Sequence, residues 1–383
     1  MPWKECTTVS EREEFVALAR QAGVNLSALS QRFGVSRKTA YKWLKRYEAE
    51  GRAGLVDRPR RPQRSPARTA PEMERRICEA RREHPAWGGR KLHHWLKAQG
   101  LVEVPAPSTI TGILERHGLL AADRRRERAW QRFEEEAPNA LWQMDFKGHF
   151  AIANGRCHPL TVLDDHSRYN LCLGACGDER AVTVQERLTA VFNRYGLPQK
   201  MLMDNGSPWG SDIAHPHTHL TAWLIRLGIS VAHGRPYHPQ TQGKEERFHR
   251  TLALEVLARR PAWADIEEVQ SAFDRWRLIY NHERPHEALN YLPPAARYQP
   301  SPRTMPASLP PVLYEHGDIV RKVQDKGRIS FRGRDYLVGR AFIGEPVALR
   351  QSADSTWDVY YCHQRVGRVV LARSARSPDP AIV

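Results

Sequence analysis

Three acidic positions carry the chemistry that this chain of 383 residues could do. Asp145 lies within LWQMDF, flanked by Trp142, Met144 and Phe146, where an ionised carboxylate is costly to bury unless it is paired or bound to a cation. Asp204 ends the run Met201, Leu202, Met203 and precedes the turn pair Asn205 and Gly206, at the strand edge where ligands bind in open α/β sheets. After a loop of Pro, Gln and Gly, either Glu245 or Glu246 begins a helix in GKEERFHRTL. Two strands and a helix start can thus supply three hard oxygen donors. Such a set suits two divalent cations about 4 Å apart, which stabilise the attacking and leaving oxygens of a phosphodiester displacement. No Cys and His set competes: the six cysteines are scattered without a CxxC pair and read as reduced thiols.

The acids need a scaffold. Near residue 140 helical period gives way to short apolar runs rich in β-formers, LWQMDFKGHFAI and CHPLTVLDDHSRYNLCLGAC, then a helix over 181–195 and the run KMLMD. Two or three strands, a helix and a further strand predict an α/β sheet. Asp164 and Asp165 fall in the turn after the second strand and read as turn formers. Residues 264–300 read as helices that close this core.

Upstream, the first segment reads helix, helix, turn, helix. Ser10 is the expected first cap, with Glu13 at capping-box spacing. Leu26, Leu29 and Phe33 follow at helical spacing, then a break at Gly34 and a new cap at Ser36. Arg37, Lys38, Thr39, Tyr41, Lys42 and Lys45 then crowd the start of the next helix, the helix-turn-helix pattern in which that helix enters the major groove of double-stranded DNA. The Pro/Arg-rich stretch 55–71 cannot pack a core, and its Arg58, Arg60 and Arg61 suit either a DNA backbone or a plain solvated tether. Helices starting near Met73, Trp87 and Ser108, the last with Ser108 as cap, suggest a second, less basic helix-turn-helix, with His93 and His94 as packing or surface residues. After the Pro-rich stretch 293–311 the apolar period becomes two, which predicts a small C-terminal β-barrel.

Charge names the partner. The chain carries 59 basic and 43 acidic residues, a net +16, and such an excess answers a polyanion, nucleic acid first. It is uneven: +8 over 1–68, +2 over 69–140, +1 over 141–300 and +5 over 301–383. Basic ends around a nearly neutral middle fit DNA-gripping modules about a carboxylate site. No apolar run of about 18 residues is present to cross a membrane, and the first residues do not read as a secretory signal. The expectation is a protein that stays in the cell where it is made.

At these residues the sequence resembles bacterial insertion-sequence transposases with an integrase catalytic core, relatives of retroviral integrases with a ribonuclease-H-like fold. The resemblance rests on LWQMDFKG, LTVLDDHSRY, GLP with LMDNGSPW, RPYHPQTQGKEERFHRTL, and YNHERPHEAL followed by PPAARYQPSPR. It implies a catalytic and metal-binding triad of Asp145, Asp204 and Glu246, served by two Mg or Mn ions. The family sets its acid three residues beyond the loop Gly, here Gly243, which selects Glu246; helix phase puts Glu245 nearer the apolar face instead. Lys244 and Arg247 match positions that hold DNA phosphates, and His238, Gln240 and Gln242 lie in the loop that borders the active site. Asp204 and Glu246 stand farther apart than the family pattern, an excess expected in 211–220 as a polar surface loop carrying His215, His217 and His219.

The resulting expectation is multidomain α/β. A helix-turn-helix domain covers 1–54, a linker 55–71, a second helix-turn-helix-like domain 72–121 and a linker 122–139. The integrase core covers 140–300, a linker 301–315 and the barrel 316–375. The implied function is a transposase that binds element ends and performs metal-dependent strand cleavage and transfer into target DNA as a dimer or higher multimer. The alternatives are a domesticated DNA-binding regulator without catalysis and a ribonuclease-H-like nuclease or resolvase.

Overall fold

Local capping chemistry sets the first helices, α1 (Thr8–Ala19), α2 (Leu26–Arg32) and α3 (Arg37–Glu50). The Asn25 side chain accepts the N–H groups of Ser27 and Ala28 to start α2, and the Ser36 hydroxyl accepts that of Thr39 to start α3. Between them Gly34 takes φ +63°, where a Cβ would be strained. The α1 cap is Thr7 rather than the expected Ser10, because Ser10 sits one turn in and returns the capping box to the Thr7 N–H at 2.8 Å. Phe15, Val16, Leu29, Ala40, Trp43 and Leu55 form the core of this unit.

The computed structural model describes residues 7–58, 68–120, 134–210, 216–234, 243–260 and 262–371, in two units, Met1–Arg68 and Thr69–Val383. The second unit opens with α4 (Pro71–Glu83), α5 (Gly89–Ala98) and α6 (Pro107–Arg116) around Ile77, Trp87, Leu92, Ile110 and Ile113. Ser108 does not cap α6: Ala106 holds that position and Pro107 leads the helix with its fixed φ.

The central sheet comprises β1 (Leu141–Phe146), β2 (Phe150–Ile152), β3 (Gly155–Asp164), β4 (Asn170–Cys176), β5 (Lys200–Met203) and β6 (Ser230–His233). Its order is β2-β3-β1-β5-β6, with β4 also paired to β3. β1 and β3 run antiparallel with Asp145 opposite Thr161, whereas β1, β5 and β6 are parallel. Helices α7 (Ala181–Tyr195) and α8 (His219–Arg226) bury one face with Trp142, Met144 and Met201. Helices α9 (Gly243–Glu255) and α10 (Ile266–His282) bury the other with Leu163 and Leu173. Part of the expected 211–220 loop is therefore helical: Thr218 caps α8 and Leu220 is buried. Residues 211–215 lie outside the described residues.

The α4–α6 module packs on this core. The Trp87 indole donates to Glu255 at 3.1 Å, Arg90 pairs with Glu287 at 3.2 Å, and the His94 ring stacks on Tyr291 at 4.1 Å. At the C-terminal end β12 (Gln364–Val370), β11 (Thr356–Tyr361), β10 (Pro346–Ala353) and β7 (Ile319–Lys322) form an antiparallel sheet in that order, beside a hairpin of β8 (Arg328–Phe331) and β9 (Arg334–Leu337). Among the described residues these strands do not close into a barrel. They share one apolar cluster with the central core, and the Gln364 amide bonds Val231 both ways, at 3.1 and 3.2 Å, along β6, covering the sheet edge. The molecule is thus mixed α/β with N-terminal helical units, and no helix among the described residues is long and apolar enough to cross a membrane.

Candidate active site

β1 delivers Asp145 as the strand leaves the core, with its side chain 24% exposed. Burial, and then the negative charges of Asp204, Glu179 and Glu246, push its carboxyl up to about 7 despite a bond from the Phe146 N–H. Asp145 and Asp204 lie on the neighbouring parallel strands β1 and β5, and Glu246 lies in the first turn of α9.

Asp204 follows β5. Its Oδ1 accepts the Gly206 N–H at 3.0 Å and the Trp209 indole N–H. Its main-chain carbonyl takes the Nδ1–H of His233 at 2.8 Å. Trp209 is itself buried and stacks on Phe146 with ring centroids 5.4 Å apart. Glu246 is exposed in the first turn of α9. With Asp204 turned toward the Trp209 indole, no three Asp, Glu, His or Cys side chains among the described residues stand close enough to clasp a cation. The donors are nonetheless all carboxylate oxygens, the ligands that hard divalent cations take, and the repulsion on Asp145 is what a cation would relieve.

Glu245 behaves differently from its neighbour. It is fully buried, its Oε2 lies 2.9 Å from the Thr161 hydroxyl, and its Oε1 has no hydrogen-bond partner among the described residues. Burial first, and the nearby Asp145 charge, raise its pKa well above the ordinary carboxylate range, against the Thr161 bond. Thr161 Oγ1 also stands 3.0 Å from the Asp145 carbonyl oxygen and 2.9 Å from His249 Nε2. A hydroxyl has one proton. If it serves the Asp145 carbonyl, Glu245 must bring its own, which agrees with a neutral acid. Burial and Lys147 hold the His249 imidazole down to about 4. The Thr161 and His249 contacts escaped the sequence reading, although the Glu245 and His249 spacing of four on one helix face was there to be seen.

Lys244, expected at DNA phosphates, instead donates to the Asp165 carboxylate and, at 3.3 Å, to its carbonyl. Asp165 is buried and also receives the Gln143 amide at 2.7 Å, while Asp164 accepts the Asn139 N–H at 2.7 Å. Both carboxylates are committed to holding the turn together. Arg247 is exposed one residue beyond Glu246.

On α3, Arg37, Lys38, Tyr41, Lys42 and Lys45 are exposed, and Lys42 lies 4.5 Å from the Trp43 ring centre. Thr39 is half-buried and its hydroxyl shares the cap with Ser36 at 2.9 Å. Arg58 pairs with Glu50. Arg60, Arg61, His215, His238, Gln240 and Gln242 lie outside the described residues. Of the other two histidines, His217 packs near Phe342 with ring centroids 5.5 Å apart, and His219 is exposed at the start of α8.

Comparison with known families agrees with this layout. Residues 135–239 and 227–294 match integrase core domain models. Residues 318–376 match the IS481 family transposase C-terminal domain. Residues 11–63 match a helix-turn-helix domain and 39–114 a homeodomain-like domain. The chain is 28% identical over 228 residues to the uncharacterized 31.7 kDa protein of insertion element IS407 from Burkholderia multivorans, covering 57% of this chain and 78% of that one. It is 23% identical over 393 residues to the transposase for transposon Tn552 of Staphylococcus aureus, covering 88% of this chain and 77% of that one. A simian T-cell lymphotropic virus intasome structure, in complex with a PP2A regulatory subunit, aligns at 16% identity over 78% of this chain and all of that one, with a TM-score of 0.37.

Proposed function

We propose that this chain, which matches integrase core models over 135–239 and 227–294 and the IS481 family transposase C-terminal domain over 318–376, is an insertion-sequence transposase that binds the ends of a mobile element and catalyses metal-dependent DNA strand cleavage and strand transfer. The observation that carries this reading is the placement of Asp145 near the end of β1, Asp204 just after the neighbouring β5 and Glu246 in the first turn of α9, with the Asp145 carboxyl raised by burial and then by the charges of Asp204, Glu179 and Glu246. Asp145, Asp204 and Glu246 are the proposed catalytic acids and cation ligands. Divalent cations, Mg or Mn and two in number, would supply activation of the attacking oxygen and charge stabilisation on the leaving one.

The protein's own part is to bring those acids together and to hold the DNA. The Gly206 N–H and the Trp209 indole both hold Asp204 Oδ1, and Oδ2 is the oxygen that would be offered to a cation. Glu246 is preferred over Glu245 because the first is exposed and the second is sealed under Thr161. Arg37, Lys38, Thr39, Tyr41, Lys42 and Lys45 on α3 are proposed to read the element end, Thr39 through its methyl since its hydroxyl is engaged. Arg58, Arg60, Arg61 and Arg247 are proposed phosphate contacts. Lys244 is proposed to join them with an ammonium proton beyond those directed at Asp165. The proposed domain limits are 140–300 and 316–375 as expected, while the expected linker 55–71 shortens at both ends, because Leu55 packs in the first core and Pro71 begins α4. Joining two ends calls for a dimer or higher multimer on double-stranded DNA, with element ends and target both bound, in the cytoplasm.

The test is strand cleavage and joining on duplex DNA from either side of the gene with Mg or Mn. Asp204→Asn is expected to abolish both reactions while end binding persists. Unchanged cleavage by that variant would overturn the assignment. Wild type that binds these ends and never cuts or joins them would return the regulator reading, which has no observation in its favour here.

A further inference from the structure

Glu245 is a buried carboxyl that the proposed reaction does not use, set one residue from an acid that it does use. A fully buried carboxyl in the first turn of a helix needs a reason to be there. Among the described residues its side chain bonds Thr161 at 2.9 Å and stands 3.6 Å from His249 Nε2, and Thr161 faces Asp145 across the β1–β3 pairing and reaches the Asp145 carbonyl oxygen at 3.0 Å. His249, four residues along the same helix, closes on the same hydroxyl at 2.9 Å and points its other ring nitrogen at the Asp145 carboxylate, 4.0 Å away. The start of α9 is therefore tied to the main chain of Asp145 through one side-chain hydroxyl, and α9 carries Glu246.

We propose that Glu245 is a positioning residue: through Thr161 it fixes the register between Asp145 on β1 and Glu246 on α9, so that the two acids meet a divalent cation without further rearrangement. The inference rests on the assignment of Asp145 and Glu246 as cation ligands. Partners that orient ligating carboxylates in this way change metal affinity by about 10- to 100-fold when removed.

The experiment measures Mn2+ affinity of the full chain without DNA, by calorimetry or by the electron paramagnetic resonance of free Mn2+, beside cleavage as a function of Mn2+ concentration. Thr161→Val keeps shape and removes the hydroxyl, and Glu245→Leu removes the carboxyl. Both are expected to weaken Mn2+ binding about tenfold and to regain cleavage when Mn2+ is raised. Thr161→Ser and Glu245→Gln, which keep a hydrogen-bonding group in place, are expected to restore affinity. Glu246→Gln should not recover at any Mn2+ concentration. If Glu245→Leu does not fold, the Thr161 pair decides alone. Wild-type affinity in Thr161→Val overturns the inference and leaves the triad standing. Loss of cleavage in Glu245→Gln with activity kept in Glu246→Gln makes Glu245 the third acid and overturns both assignments. A wild-type chain that binds no Mn2+ removes the cation reading and the inference with it.

Discussion

Asp145 and Lys91 illustrate, with opposite charges, what burial does to an ionisable group here. Asp145 is held up to about 7 by burial and by other acids, a strain that a cation can relieve. Lys91, on α5, is pushed down to about 7 by burial and by Arg284, with Arg247 adding to the effect and Glu255 and Glu287 opposing it. The unfolded chain keeps that amine protonated to about pH 10.4. Between about pH 7 and 10 the unfolded state therefore binds more protons, and this group's contribution to stability rises with pH; below pH 7 both states are charged and the full penalty stands. Lys91→Met is expected to raise the melting temperature at pH 7 by about 3 °C or more, with the pH-dependent part of the gain vanishing toward pH 10. A melting profile of the variant parallel to wild type from pH 7 to 10 would show that Lys91 is not buried as a charge.

At the scale of elements, α3 and α9 show how far sequence carries. Ser36 before a basic run located α3, because a cap and an exposed basic face are both local properties. Its exposed residues make a specific expectation: Lys38→Ala and Lys42→Ala should each lower the salt dependence of DNA binding by about one unit of slope. Titrating binding against salt concentration checks this, and an unchanged slope in both variants would place the DNA elsewhere. α9 was legible as a helix beginning near Glu245 and Glu246, and the helix phase hinted that Glu245 turns inward. What lies under it was not legible, since Thr161 is 84 residues away in sequence and meets it only through sheet packing. The same limit explains Lys244, whose partner Asp165 is 79 residues distant. Caps failed where a better one stood nearby: Thr7 precedes Ser10, and Pro107 makes a capping side chain at Ser108 unnecessary. The C-terminal strands were read from their period of two, but their pairing order is a property of the whole sheet.

At the scale of the whole molecule, the unit proposed to recognise DNA and the unit proposed to do the chemistry have cores of their own. Among the described residues of 1–68, Phe15, Val16, Leu29, Ala40, Trp43 and Leu55 form a core cluster of their own. The second unit holds the α4–α6 module on the central α/β core through the Glu255 carboxylate, which accepts the indole N–H groups of Trp87 at 3.1 Å and Trp276 at 2.7 Å. Removing 1–68 should then leave the melting transition of 69–383 in place, because among the described residues the apolar clusters of that unit are built from its own side chains. It also removes +8 of the net +16 charge, and with it the α3 face proposed to read bases. The truncated chain is expected to keep weak, salt-sensitive binding to any duplex and to cut without preference for element ends, while wild type protects a defined stretch of each end. Footprinting of both proteins on the same DNA checks this. Identical footprints would mean that α4–α6 or the C-terminal strands read the sequence, and that the most basic unit of the chain only raises the local concentration of DNA.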